Sequence, residues 1–174
     1  MAGQEQPDGQ GPAGRGALDA AFDSRLLAAA LKYAAYGWPV LPCGSNKKPL
    51  IKDWPNAAST DPNQIRKWWD MFPTAMIGVV TGPRSGLFVI DVDVKNSAPG
   101  LSSLAALEKE HGKLPDTLSQ ITASGGFHYL FQYPKGIELG NSSGKLGKGI
   151  DTRGTGGFIV VCPSHGYKWR RAQR

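Results

Sequence analysis

One segment constrains this chain more than any other: Leu87-Phe88-Val89-Ile90-Asp91-Val92-Asp93-Val94. It is apolar, rich in β-branched residues and preceded by the turn-forming Thr81-Gly82-Pro83-Arg84-Ser85-Gly86, so it reads as a strand. Side chains alternate across a strand, which puts Asp91 and Asp93 on one face with Cα atoms roughly 7 Å apart. Phe88, Ile90, Val92 and Val94 take the other face. Two carboxylates at the end of an apolar strand repel each other and lose hydration. A divalent cation offsets that cost, because hard oxygen ligands suit Mg²⁺ and Mn²⁺. For a D-x-D pair on its own, the simpler reading is a strand end emerging into water with both aspartates hydrated.

The 174 residues suit one domain with a real core. Residues 1–20 are rich in Gly, Ala, Gln and Pro and nearly devoid of large apolar side chains, the composition of a disordered tail. Asp23 or Ser24 then caps a helix running through Leu26, Leu27, Ala30, Leu31 and Ala34 to Tyr36, with Gly37 as its stop. A short strand, Pro39 to Pro42, leads into the basic loop Gly44-Ser45-Asn46-Lys47-Lys48-Pro49. Asp61-Pro62-Asn63-Gln64 starts a second helix carrying Ile65, Trp68, Trp69 and Phe72, whose aromatics are most simply core packing. Strands follow at Met76 to Val80 and Leu87 to Val94, then a short amphipathic helix through Leu101, Leu104, Ala105 and Leu107 that stops near Gly112. After Pro115 come strands Leu118 to Ala123 and Phe127 to Tyr133. A Gly-rich, Lys-bearing stretch from Gly140 to Gly149 precedes Ile150-Asp151-Thr152-Arg153, and the turn Gly154-Thr155-Gly156-Gly157 joins that segment to Phe158–Val161 as a hairpin. The order predicts an α+β domain over residues 21–170, α/β-like in its first half and antiparallel in its second. Lys168, Arg170, Arg171 and Arg174 make a basic end, its last stretch residues 171–174, that either tracks nucleic-acid backbone or, more simply, is a charged, frayed terminus.

The formal charge is +6, and the first twenty residues contribute −2, so the remainder carries +8. Such an excess suits a polyanionic partner but identifies none by itself. Cys43 and Cys162 form no C-x-x-C pair, so no zinc site is evident and buried thiols in a reducing cytosol are expected. No apolar run approaches the roughly 20 residues needed to span a bilayer, and the N-terminal segment has neither the basic start nor the apolar stretch of a signal peptide. A soluble, cytoplasmic protein with no membrane partner is expected.

Two later positions change the weight of the aspartates. Ser124-Gly125-Gly126-Phe127-His128 puts a histidine on a strand just after a glycine turn, sharing its face with Leu130 and Gln132. Asp151 lies in another short apolar-flanked segment with Arg153 on its own face. Singly, a packed histidine and a turn-forming aspartate are the ordinary readings. In this order and company the chain resembles the bifunctional primase/polymerase (prim-pol) domain of the archaeo-eukaryotic primase superfamily, from about Leu26 to Trp169. The matching landmarks are Lys47-Lys48-Pro49, the Trp68-Trp69 helix with Pro73, Ile77 to Gly82, and Ser85 to Asp93. They continue with Gly100-Leu101 through His111-Gly112, Leu114-Pro115, Ser124 to His128, Gly149 to Gly154, Gly156 to Val161, and Pro163-Ser164.

The resemblance implies an α/β N-terminal unit packed on an RRM-like antiparallel C-terminal unit, with the active site between them. It makes Asp91, Asp93 and Asp151 the ligands of two Mg²⁺ or Mn²⁺ ions, and His128 a contact to the phosphates of the incoming nucleotide. Lys47, Lys48 and Arg153 fall where the family has basic residues and are assigned to phosphate binding. The Ser124-Gly125-Gly126 turn either supplies backbone N–H groups to phosphate or is a tight turn and nothing more. The implied activity is template-dependent joining of nucleoside triphosphates (NTPs, dNTPs or both) on single-stranded DNA, as primase, polymerase or both. The implied setting is replication of a phage or mobile element in a prokaryotic or phage-infected cell. Cys162-Pro163-Ser164 has one proline where the family shows two, and the span from Ser164 to Trp169 is shorter than is common there. No G-x-x-x-x-G-K-[ST] loop occurs, so the helicase domain that the family often carries is not expected in this sequence. The chain reads as an isolated catalytic domain or as the first part of a longer polypeptide, with a helicase domain or partner outside it as one option. Two other readings use the same residues: a two-metal nuclease, and a non-catalytic RRM-like nucleic-acid-binding module.

Overall fold

The computed structural model describes residues 13–170. Its elements are α1 (Ala13–Ala35), β1 (Val40–Cys43), the one-turn α2 (Trp54–Ala57), α3 (Pro62–Met71), β2 (Met76–Val80) and β3 (Leu87–Val92). A 3₁₀ turn (Lys95–Ser97) leads to α4 (Gly100–His111), followed by β4 (Leu118–Ile121), β5 (Phe127–Gln132), β6 (Ser142–Gly147), β7 (Ile150–Arg153), β8 (Phe158–Val161) and β9 (Lys168–Arg170).

The first helix begins earlier than its expected cap. Of the tail expected at 1–20, residues 1–12 lie outside the described residues, but 13–20 are helical. Ala17, Ala20 and Ala21 are the best helix formers, and extending a helix that is already anchored needs no new nucleus. The anchor is the face formed by Leu26, Ala30, Tyr33 and Ala34, all buried. It packs against Ile65, Trp68 and Trp69 of α3, so the tryptophans are core residues, and the Trp69 indole donates to the Ala75 carbonyl at 3.3 Å. Asp61 caps α3 as its sequence predicts, accepting from the Asn63 N–H at 2.9 Å.

Every strand pairing among the described residues is antiparallel, including β1 with β2, so the first half is not α/β in the parallel sense. Nor do the two halves of the sequence form two separate sheets. One sheet has the order β1-β2-β8 and the other β6-β7-β3-β5-β4-β9. The expected hairpin of β7 with β8 is absent, because the Gly154–Gly157 turn crosses from one sheet to the other. Thr81, just past β2, holds that turn: its hydroxyl donates to the Gly154 carbonyl at 2.7 Å and its N–H to the Gly157 carbonyl at 2.9 Å. Phe158 then pairs with Val80 rather than folding back on β7. The C-terminal end up to Arg170 is likewise not frayed. Strand β9 pairs with β4, and the Trp169 indole donates to the Tyr33 hydroxyl at 3.0 Å. Residues 171–174 lie outside the described residues.

The two faces of β3 serve different layers. Val89 joins the main core with Val40, Ile77, Val79, Leu130, Ile159 and Val161, between the two sheets and the helices α1 and α3. Val92 and Ile90 instead pack with Ile150, Phe127 and Tyr129 under Leu104 and Leu107 of α4. Val89 and Val92 are both fully buried, and burial of each contributes roughly 1.5–3 kcal/mol. That double anchoring fixes the register of the strand that carries Asp91.

Strand β3 stops at Val92, two residues short of expectation, because the backbone of Asp93 turns to other partners. Its N–H donates to the Gly149 carbonyl at 2.8 Å, and its carbonyl accepts from the Gly100 N–H at 3.1 Å. Only glycine fits at Gly100: a Cβ there would lie 2.4 Å from the Asp93 carbonyl oxygen and 2.7 Å from that of Gly149. Gly100→Ala is therefore expected to lower the unfolding free energy by about 1–3 kcal/mol in urea titration. Gly140→Ala, at a position open to solvent, should leave it unchanged. Equal stability of the two variants would show that the Asp93–Gly100 contact is not tight.

Candidate active site

Antiparallel register places a row of side chains on one face of the larger sheet. Asp151 on β7 is opposite Asp91 on β3, Asp91 is opposite His128 on β5, and His128 is opposite Gln120 on β4. Directly opposed residues in a pleated sheet project to the same side. The row therefore faces the smaller sheet, and a cleft of about 300 Å³ opens between the two. Its walls include Lys47, Asp91, Asp93, His128, Arg153 and Tyr167.

The electrostatics of the row centre on Asp91, whose side chain is only 13% exposed. His128 Nε2 lies 3.4 Å from Asp91 Oδ1, and an Arg153 guanidinium nitrogen lies 3.3 Å from Oδ2. The same nitrogen lies 3.0 Å from Asp151 Oδ2, so Arg153 bridges the two aspartates. Burial pushes the Asp91 carboxyl up, but the His128 and Arg153 contacts outweigh it and hold it below the usual aspartate value. Asp93 shows the opposite balance. Burial and then the negative charges of Asp91 and Asp151 raise its carboxyl, which Arg153 and His128 only partly offset. Tyr167, at the back of the cleft, is pushed up to about 12, first by burial and then by the charge of Asp91, so it is a neutral phenol at physiological pH. The Lys47 ammonium stands 5.5 Å from the centre of its ring.

The expected residues do not all arrive together. Asp91, Asp93, His128, Arg153, Lys47 and Ser124 line the cleft. Asp151 contacts Arg153 and lines, with Asp93, a second cleft that also holds Lys95 and Lys148. Lys48 is exposed and lines neither cleft, and its backbone N–H is engaged by the Asn46 side chain. The Gly125 N–H donates to the Thr122 carbonyl at 2.9 Å, so this glycine shapes a turn. Gly126 is required by close packing, since a Cβ there would lie 2.4 Å from the Val92 carbonyl oxygen. Sequence reasoning missed Gln120, Thr122 and Tyr167. A polar side chain at a core-facing strand position was the available signal for Gln120, which is fully buried.

Among the described residues, no three His, Cys, Asp or Glu side chains are gathered closely enough to form a ready-made metal cage. The donor chemistry nonetheless fits a hard divalent cation. Asp91 and Asp151 share one Arg153 nitrogen, and the charges of both raise Asp93, so all three are hard oxygen donors within electrostatic reach of one another. Two substitutions test this balance without metal. Arg153→Leu should cost about 1–2 kcal/mol at neutral pH, allowing for solvent screening of a partly exposed guanidinium. The stability Asp91 draws from a lowered folded pKa is present above its unfolded value and lost as pH falls through the folded one. The gap between Arg153→Leu and wild type should therefore narrow in acid. Asp93 is raised in the fold and costs stability at neutral pH, so Asp93→Asn should raise the melting temperature there. A melting temperature that instead falls would contradict the repulsion assigned to Asp93.

Among the described residues no helix is long and apolar enough to cross a membrane. A comparison with curated proteins found no match. The family model described as bifunctional DNA primase/polymerase, N-terminal, matches residues 30–174 and so takes in both sheets and every residue of the cleft. The chain belongs to the Prim-Pol family, which implies primase/polymerase activity of the nucleotidyltransferase class on DNA and nucleotides.

Proposed function

We propose that the cleft between the sheets binds a nucleoside triphosphate and joins it to a 3′-hydroxyl on a single-stranded DNA template, in primer synthesis, primer extension or both. The observation that carries this reading is the Asp151–Asp91–His128 row with Arg153 across it, facing a cleft that also presents Lys47 and Asp93. Support for an RRM-like unit comes from the strand order β7-β3-β5-β4 with α4 between β3 and β4, although β6 and β9 extend that sheet and no helix lies between β5 and β7.

Asp91, Asp93 and Asp151 are the residues that would hold two Mg²⁺ or Mn²⁺ ions. When bound, such ions activate the attacking hydroxyl and neutralise charge on the triphosphate. In the reaction the 3′-oxygen forms a bond to the α-phosphorus as the bond to the pyrophosphate oxygen breaks, so negative charge grows on phosphate oxygens. Lys47, Arg153 and the His128 ring supply cationic and N–H groups where that charge develops. The Thr122 and Ser124 side chains, which contact each other at 3.2 Å, add hydroxyls to the same wall. In this reading Arg153, which neutralises Asp91 and Asp151, also offers its remaining N–H groups to phosphate. The second cleft shares Asp93 with the first and adds Lys95 and Lys148, cations that suit the strand carrying the 3′-hydroxyl. Replication of a phage or mobile element in a prokaryotic cytoplasm is the setting that the sequence resemblance favours.

The test is synthesis from labelled ribo- or deoxyribonucleotides on single-stranded DNA with Mg²⁺ or Mn²⁺, with and without an annealed primer. Wild type should yield oligonucleotides, and Asp91→Ala and Asp93→Ala should each lower kcat about a hundredfold or more. Saturating Mn²⁺ should raise the melting temperature of wild type and not of the Asp91→Ala, Asp93→Ala double variant. Undiminished synthesis by that double variant rejects the assignment, and degradation of the DNA identifies a nuclease instead.

A further inference from the structure

Gln120 lies on β4 with 0% exposure, and the chemistry proposed above makes no use of it. Its amide is held at both ends by backbone of β8 and the residue after it. The Cys162 N–H donates to Gln120 Oε1 at 3.0 Å, and Gln120 Nε2 donates to the Val160 carbonyl at 2.8 Å. The first partner can only donate and the second can only accept, so the amide has one orientation: the flipped form would oppose donor to donor and acceptor to acceptor in a dry interior.

With that orientation fixed, the remaining Nε2 hydrogen points at His128 Nδ1, 2.8 Å away. A ring nitrogen facing an N–H must offer its lone pair. The hydrogen of the ring then resides on Nε2, the nitrogen 3.4 Å from Asp91 Oδ1 in the cleft. We propose that Gln120 is a positioning residue: it holds His128 in the Nε2–H form and aims that N–H at Asp91 and at the phosphate oxygens of a bound nucleotide. The chain of contacts runs from the β8 backbone through Gln120 and His128 to Asp91, so the smaller sheet orients a side chain on the larger one. This is the role played by outer partners of ligand histidines, whose loss commonly costs 10- to 100-fold in affinity or activity, on the order seen for such supporting bonds.

The tautomer does not depend on the reading of the cleft as a nucleotide site; the kinetic consequence does. Long-range ¹H–¹⁵N correlation of the imidazole rings in the ¹⁵N-labelled full chain, at neutral pH without metal, reads the tautomer directly. The His128 signals are those missing from His128→Asn. Wild type should show a protonated Nε2 and a bare Nδ1. Gln120→Glu keeps the acceptor for Cys162 but replaces the N–H facing the ring by an oxygen, and should bring a proton to Nδ1. In the synthesis assay the same variant should lose roughly 10- to 100-fold in kcat with KM changed less than about threefold. A proton on Nδ1 in wild type, or an unchanged ring pattern in a Gln120→Glu variant that melts as wild type does, overturns the proposal. Should the variant not fold, the wild-type spectrum decides alone. Absence of synthesis by wild type would reject the nucleotide-site reading while the spectrum still judged the tautomer.

Discussion

An aspartate taken out of water must be compensated, and the way Asp91 is compensated organises much of this molecule. The carboxylate sits between two sheets with 13% of its side chain exposed. It is tolerated because His128 approaches from one neighbouring strand and Arg153 from the other. Both approaches depend on antiparallel register: a slip of one residue in β5 or β7 would send His128 or Arg153 to the opposite face, under α4. Register is in turn set by the apolar residues between the polar ones, Val89 on the inner face and Val92 and Ile150 on the outer. The packing that makes the sheet and the polar row that faces the cleft are thus the same pattern seen from two sides.

The crossing between sheets matters as much as the register within one. Strand β8 belongs to the sheet of β1 and β2, although β7 immediately before it belongs to the other. That connection brings the Val160 carbonyl and the Cys162 N–H against Gln120, and Phe158 and Ile159 into the wall of the cleft. The main core continues across the gap, since Val89 and Leu130 share a cluster with Ile77, Val79 and Val161. A cleft built between two sheets that share one core holds its opposing walls at a fixed separation, which reactions dependent on orientation require.

Local chemistry explains what was legible in the sequence. The alternation around Asp91, the Asp61-Pro62 helix start, the helix stop at Gly112 and the β4–β5 pair all follow from contacts a few residues apart, and all are present. The sharing of a face by Asp151 and Arg153 was legible for the same reason, and they meet at 3.0 Å. The pairing of β7 with β8 was misread because a glycine-rich turn looks the same whether it closes a hairpin or carries the chain to another sheet. Thr81, more than seventy residues away, makes the difference. The same limit hid β9, whose partners are β4 and Tyr33. It also hid the helical start of α1, since alanine-rich residues extend a helix only when something downstream anchors it.

By itself the sequence determined which strand faces Asp91, His128, Asp151 and Arg153 occupy, because alternation and capping are properties of adjacent residues. It determined the family by the order of its motifs. Only the tertiary structure decided which of those residues meet: Asp91 with His128 and Arg153, Asp151 with Arg153, Asp93 raised by both aspartates, and Lys48 left outside. Only it showed that Gln120 stands behind His128. The physical reason is distance along the chain. His128 and Asp91 are 37 positions apart and Cys162 lies 42 beyond Gln120, so their contacts come from strand pairing and sheet packing, which no local pattern records.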